Sequence, residues 1–385
     1  MEGPRSAKKD EFNKVLELIN HVFRISRGHK PTMQEEFPLL INENNTDNMI
    51  VMLDDDTCIS TVNYMHEDIL IQGVKVNGAS IGGVCTLEDY RKFGYSSRIL
   101  DKVEEKMFNE KVDFALISGE RSLYRRRGCK VVKNFYNYSL HPKKEEMDFQ
   151  LVPYENWHLL HMVDMYNSKS TRYSRSLEEF KTLLHSATIP WGKFSYRKYT
   201  ILGKEGGFHF DQGIKVLGYI VVRIISEEAD KHGEVVEAAG NSHMLSKAFR
   251  NIANDLSLSR ITYNVHLRDR EAYLYDYDKI TFGNMGGTVK IINFKNFMEN
   301  LRPLFYQYEE KSIVDNMEFY EESNQCIFKY KEEILKIEDK EAITNLVFAG
   351  PMAEKLNYKD VPTIEKFIKV NFPIPFVWPY NLNYQ

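Results

Sequence analysis

The 385-residue sequence predicts an α/β (α+β) protein of mixed sheets: two tandem domains of one plan, then a smaller α+β module. Three observations carry this prediction. Residues 81–128 read as strand, glycine turn, amphipathic helix, buried strand and second turn. The strand–helix–strand order returns near residues 235–265. From about Thr288 the texture changes to a strand, a helix, a strand pair and short helices. Such a chain is longer than one core normally fills, so two or three domains are expected.

Taken in order, Met1 to Lys9 are polar and carry little structural signal. From Asp10 to Phe23 the positions Phe12, Val15, Leu16, Ile19, Val22 and Phe23 mark an amphipathic helix with Asp10 as N-cap. Phe37 to Ile41 suits a second short helix. Met49–Leu53, Thr57–Met65 and Ile69–Val76 read as successive strands. The acidic tip Asp54-Asp55-Asp56 invites a metal, but adjacent carboxylates in a hairpin turn alternate in direction and do not converge, so no metal is expected. Ile81–Thr86 is the next strand. After a turn holding Arg91, Gly94 and Ser96, a helix from about Ser96 to Asn109 places Ile99, Leu100, Val103 and Met107 on one face. Phe114–Ile117 is wholly apolar, a turn with Tyr124 and Gly128 follows, and Val131–Leu140 reads as a closing strand. A strand, a glycine turn and a helix start together hold anions on backbone N–H groups.

The motif Arg91-x-x-Gly94-x-Ser96 resembles the acyl-CoA pyrophosphate loop of the GNAT N-acetyltransferases. Leu123-Tyr124-Arg125-Arg126-Arg127-Gly128 resembles the tyrosine turn that follows the next strand in that superfamily. The resemblance implies acetyl-CoA as cosubstrate and no metal. It implies that Arg91, Lys92, Phe93, Gly94, Tyr95, Ser96 and Ser97 form the diphosphate turn, where Gly94 lets backbone approach phosphate closely. Ser96 stands where Gly or Ala is usual and could add a hydroxyl donor. Val84, Cys85 and Thr86 would bond the pantetheine arm and the thioester carbonyl through their backbone, with Gly119 and Glu120 facing the same opening. Tyr124 would act as general acid toward the departing thiolate; the alternative is a tyrosine packed at a sheet edge.

Beyond a polar linker at His141–Asp148 the pattern repeats. Asn156–Tyr166 and Ser176–Leu184 are helical, Tyr199–Leu202 and Val216–Ile225 strand-like. Val235–Gly240, a helix from Met244 to Leu256, and Ile261–Val265 then echo the first domain. The intervening loop, Gly240-Asn241-Ser242-His243, lacks arginine, so this copy is expected to bind no coenzyme. Further on, Val289–Asn293 reads as a strand, Phe294–Tyr306 as a helix, and Met317–Glu322 and Gln325–Lys331 as a strand pair. Ile343–Phe348 and Ile364–Val370 read as short helices. This order resembles the sterol-carrier-like domain that follows two GNAT units in Eis (enhanced intracellular survival) type acetyltransferases. Domains are therefore expected at 1–141, 142–287 and 288–385. The resemblance also implies that the C-terminal carboxylate, on Gln385, reaches the active site as a base; a water relay or a terminus packed for stability are the alternatives.

The net charge of −4 gives no reason to expect nucleic acid as partner. The cluster Arg125 to Arg127 suits either a small polyanion or a solvated turn. Cys58, Cys85, Cys129 and Cys326 show no metal-ligand spacing, and core packing is favoured for Cys58 and Cys85, which sit within apolar runs. With no long apolar run or signal segment, neither membrane insertion nor secretion is expected, and a cytoplasmic setting is simplest. The expected activity is acetyl transfer to a primary amine, of a small molecule or a lysine. A non-catalytic acyl-CoA or lipid-binding protein is the alternative, and a homo-oligomer is left open.

Overall fold

The computed structural model describes residues 1–203, 215–269 and 276–384. Contacts divide the chain into two compact units, one of Met1–Lys133 with Asn284–Pro379 and one of Asn134–Gly283 with Tyr380–Tyr384.

The first unit is built on a mixed sheet. Its strands are β1 (Glu2–Ser6), β2 (Met49–Asp54), β3 (Thr57–Ile71), β4 (Val74–Thr86) and β5 (Phe114–Ile117), side by side in that order, with Thr288–Ile291 beyond β5. All neighbours are antiparallel except β4 and β5. Two elements differ from the sequence expectation. The N-terminal residues form β1, which pairs with β2 although its own pattern is polar. The strands expected at 57–65, 69–76 and 81–86 are two long ones, because Gln72 and Gly73, at φ 48° and 84°, make a two-residue hairpin turn.

Two helices cover opposite faces of this sheet. On β2, Ile50 and Met52 pack with the helix after the glycine turn, whereas Met49, Val51 and Leu53 pack with the N-terminal helix. This follows from the two-residue alternation of a strand buried on both faces. The N-terminal helix, α1, spans Phe12–Phe23; Asp10 sits in a 3-10 turn before it and is not its cap. A one-turn helix, α2 (Met33–Glu36), stands just ahead of the position expected. The chain between α1 and α2 is pinned by a buried ion pair, Arg24 Nε to Glu36 Oε1 at 2.8 Å, and by Met33 N donating to Asn20 Oδ1 at 3.1 Å. The central helix α3 spans Tyr95–Asn109 with the four expected residues buried.

Residues 284–379 pack onto this unit. Phe114 of β5 meets Phe297, Phe348 and Phe376 at centroid distances of 5.2, 5.5 and 5.3 Å. Buried Asp113 accepts from Asn77 N and from the amides of Asn296 and Asn300. Beyond these lies a three-stranded antiparallel sheet, Met317–Glu322, Gln325–Tyr330 and Glu333–Ile337; the last strand is an addition to the pair read from sequence. Phe319 and Phe328 of this sheet and Phe294, Phe305 and Phe367 of the helices beside it pack together, mostly edge-on, and are buried, so the aromatic density of this segment is core.

The second unit repeats the plan. Lys215–Ser226 and Lys231–Gly240 are antiparallel, and Lys231–Gly240 runs parallel to Ile261–His266 across the helix Ser242–Asp255. The strand expected to close the first sheet, here β6 (Lys133–Leu140), lies in this second sheet instead, paired with Ile261–His266. Thr288–Ile291 takes the corresponding place beside β5. Alternation in β6 marks which side chains are buried but not which sheet edge receives them. The tail Tyr380–Tyr384 returns to this unit, where Asn383 accepts from buried Arg175, itself paired with both oxygens of Glu237.

Candidate active site

The site begins where β4 and β5 part. Their parallel pairing runs from Gly78↔Phe114 to Ile81↔Ile117 and stops there. β4 continues to Thr86, paired only with β3 on its other side. The register with β3 slips between Thr61 and Asn63, opposite Gly83. Gly83 has φ 60°, and a Cβ there would lie 2.6 Å from Asn63 Nδ2, so the bulge requires glycine. The backbone of Val84 to Thr86 is thus left with an edge open toward a ligand. Three hydroxyl side chains fix it: Ser60 Oγ and Thr86 Oγ1 are 2.7 Å apart, Thr86 Oγ1 and Ser96 Oγ 2.8 Å, and Ser60 Oγ donates to Cys85 O at 3.1 Å. The Ser96 hydroxyl, expected as an extra phosphate donor, is engaged with Thr86 and fastens the start of α3 to the end of β4.

Helix α3 opens without a side-chain cap. Its N-cap is Gly94, left-handed at φ 79°, with open space where a Cβ would stand. Lys92 is also left-handed, at φ 71°, and Arg91 to Gly94 are exposed, with Phe93 resting against Tyr95. The N–H groups of the first turn therefore face outward at the positive end of the helix dipole. The equivalent helix of the second unit differs: Asn241 caps it, accepting from His243 N and Met244 N. Two of its first N–H groups are thus satisfied by a side chain of the same chain.

A cleft of about 540 Å³ adjoins the open strand. Of the residues expected from sequence, it brings together Val84, Cys85, Thr86 and Arg91. Arg91 Nε donates to Thr86 O at 3.3 Å, and its guanidinium lies 3.4 Å from Glu88. The sequence reading missed the remaining walls. His21, Val22, Phe23, Ser26 and Arg27 come from the end of α1 and the turn after it, and Glu88 and Arg121 from the two loops at the strand ends. The helical pattern identified only the buried face of α1; no local pattern marks the residues at its end as a wall.

Lys92, Phe93, Gly94, Tyr95, Ser96 and Ser97 form the exposed turn and helix start and do not line the cleft. Neither do Gly119, Glu120 and Tyr124. Tyr124, on the one-turn helix α4 (Ser122–Arg125), is buried in the α3-side core with Ile81, Ile117 and Cys129. A Cβ on Gly119 would touch its ring at 3.0 Å, so Gly119 makes room for the ring. Burial pushes the Tyr124 phenol above its usual value, with Arg121 pulling the other way. Arg127 is committed to Asp101 and Glu104, and Arg125 lies 3.4 Å from Glu120, so these two arginines of the cluster serve the turn itself. Asp54 accepts from the Tyr90 hydroxyl and Asp56 pairs with Lys14, so the acidic tip is divided between separate partners. All four cysteines are free and buried. Gln385 lies outside the described residues.

Residues 4–132 match the family model of an acetyltransferase (GNAT) domain. The matched segment contains the end of β1, all of β2–β5 with the open strand, and α3. The full chain is similar in fold to several solved structures. A GCN5-related N-acetyltransferase from Anabaena variabilis superposes with TM-score 0.65 at 11% identity, over 97% of this chain and 98% of the other. An Enterococcus faecalis protein described as a probable N-acyltransferase gives 0.64 at 16% identity, over 96% and 97%. Eis1 from Mycobacterium abscessus gives 0.58 at 11% identity, over 98% and 99%. At these identities the likeness is one of fold. No curated protein sequence matches the chain. Among the described residues, no helix is long and apolar enough to cross a membrane.

Proposed function

We propose that the chain is an acetyl-CoA-dependent N-acetyltransferase that transfers acetyl directly to a primary amine of a small molecule or a lysine. The observation that carries this reading is the parting of β4 from β5 beside an uncapped helix start. One edge holds the amide arm of the coenzyme, and the outward N–H groups of α3 donate to its diphosphate. The likeness to N-acetyltransferase folds over nearly the whole chain supports it.

In this reading the amine lone pair attacks the thioester carbonyl, a C–N bond forms, and the oxyanion is held by a backbone N–H of Val84 to Thr86, a type of contact worth roughly 2.7–4 kcal/mol. The C–S bond then breaks, the thiolate takes the proton of Tyr124, and the phenolate regains a proton from solvent. The amine loses its own proton to water or to the terminal carboxylate on Gln385. The buried free thiols suit a reducing, cytoplasmic setting.

The test is a melt with and without acetyl-CoA, followed by thiol release in the presence of amines. Saturation at 100 times the dissociation constant should add about 2.7 kcal/mol of stability. If no acyl-CoA raises the melting temperature at millimolar concentration, the reading fails. If acetyl-CoA stabilises the fold but no amine ever releases thiol, a non-catalytic acyl-CoA-binding protein takes its place.

A further inference from the structure

The charges around the cleft bear on the amine, given the acetyltransferase reading above. Three arginines line it, Arg27, Arg91 and Arg121, and Glu88 is the acidic member of the lining. The Glu88 carboxylate is largely exposed and lies 3.4 Å from Arg91. Arg91 sits at the head of the diphosphate turn and is tied to Thr86 O, which assigns it to the coenzyme side. Arg27 and Arg121 come from other elements, the turn after α1 and the turn after β5. Among the described residues neither forms an ion pair, whereas nearby Arg24, Arg125 and Arg127 all do. Val22 and Phe23 add apolar surface to the same wall.

Two unpaired guanidiniums beside the strand that would hold the thioester are the wrong lining for a polycation. They repel ammonium groups, and each offers a planar fork of donors that matches a carboxylate. Nearby positive charge also favours the neutral form of an amine, the form that attacks. We infer that the acceptor is an amine bearing a carboxylate, of the amino-acid kind, with Arg27 and Arg121 binding that carboxylate.

The test uses protein saturated with coenzyme A and titrates three pairs by calorimetry: alanine, aspartate and phenylalanine, each against its α-carboxamide, with spermidine as the polycation. A charged hydrogen bond contributes roughly 1.5–3 kcal/mol, so at least one acid should bind about tenfold or more tighter than its amide. Spermidine should bind more weakly than that acid. Arg27→Gln and Arg121→Gln should each shrink the acid-to-amide ratio while leaving coenzyme A affinity within about threefold. The inference is overturned if every amide equals its acid, if spermidine binds tightest, or if no acid binds. It is overturned equally if the variants weaken coenzyme A and leave the ratio intact, since the arginines would then belong to the coenzyme. In all these cases a melting shift with acetyl-CoA keeps the acetyltransferase reading standing. Absence of that shift sinks both.

Discussion

Tyr124 is the proton donor in the proposed reaction, and the chain places it in the α3-side core outside the cleft lining. Its ring is buried beside Gly119 and Cys129, and burial holds the phenol protonated above its ordinary range. As the donor in the proposed reaction, Tyr124→Phe should lower kcat by about 10²-fold, a usual contribution for a general acid, with acetyl-CoA affinity little changed in a binding titration. An unchanged kcat would leave the ring as a packing residue only. Burial acts on the thiols too, pushing Cys58, Cys129 and Cys326 up to about 12. Because the folded values lie above the unfolded ~8.5, their contribution to stability is complete below that pH and is lost as pH climbs through about 12. In the native protein at pH 8, a disulfide reagent should accordingly titrate fewer than one thiol per chain, and all four after denaturation; rapid native labelling would contradict the packing described.

Among the elements, the end of β4 and the α1–α2 connection shape the site. Gly83→Ala forces a side chain into a left-handed position against Asn63. The strain expected for such a residue is roughly 1–3 kcal/mol, visible as a lower denaturation midpoint together with weaker acetyl-CoA binding. If the midpoint moved and coenzyme affinity did not, the bulge would serve the sheet alone. The wall carrying Ser26 and Arg27 is held by the buried Arg24–Glu36 pair. Glu36→Gln leaves a buried guanidinium without its counter-charge, a loss of about 3–5 kcal/mol that a urea melt would resolve. A loss under 1 kcal/mol would mean that Asn20 and the apolar contacts of α2 suffice.

For the chain as a whole, the segment matched as a GNAT domain leaves part of its own sheet and core to later residues. Its sheet is closed beyond β5 by Thr288–Ile291, and Phe114 is covered by Phe297, Phe348 and Phe376. Residues 1–133 expressed alone should expose that edge and the Phe114 ring, and so aggregate or remain unfolded by circular dichroism. The segment joined to 284–379 through a short linker should recover a cooperative melt. A stable, monomeric 1–133 fragment would refute this.

What could be taken from the residues in order was whatever depends on neighbours in the chain. Helix α3, strand β5 and the Arg91–Ser96 turn were legible because their periodicity and glycine chemistry are local. So was the second strand–helix–strand, with its helix Ser242–Asp255 between parallel strands. The polar β1 was not legible, since its pattern is silent until β2 offers an edge. The placement of β6 in the second sheet was not legible either, because alternation specifies a buried face and not a partner. The cleft wall at His21 to Arg27 comes from a helix end whose sequence only announces a core face. The folded chain alone brings Arg27 and Arg121 to one cleft, 94 positions apart in the numbering. Local backbone preference decided the elements; the competition of edges and faces for burial decided which of them meet.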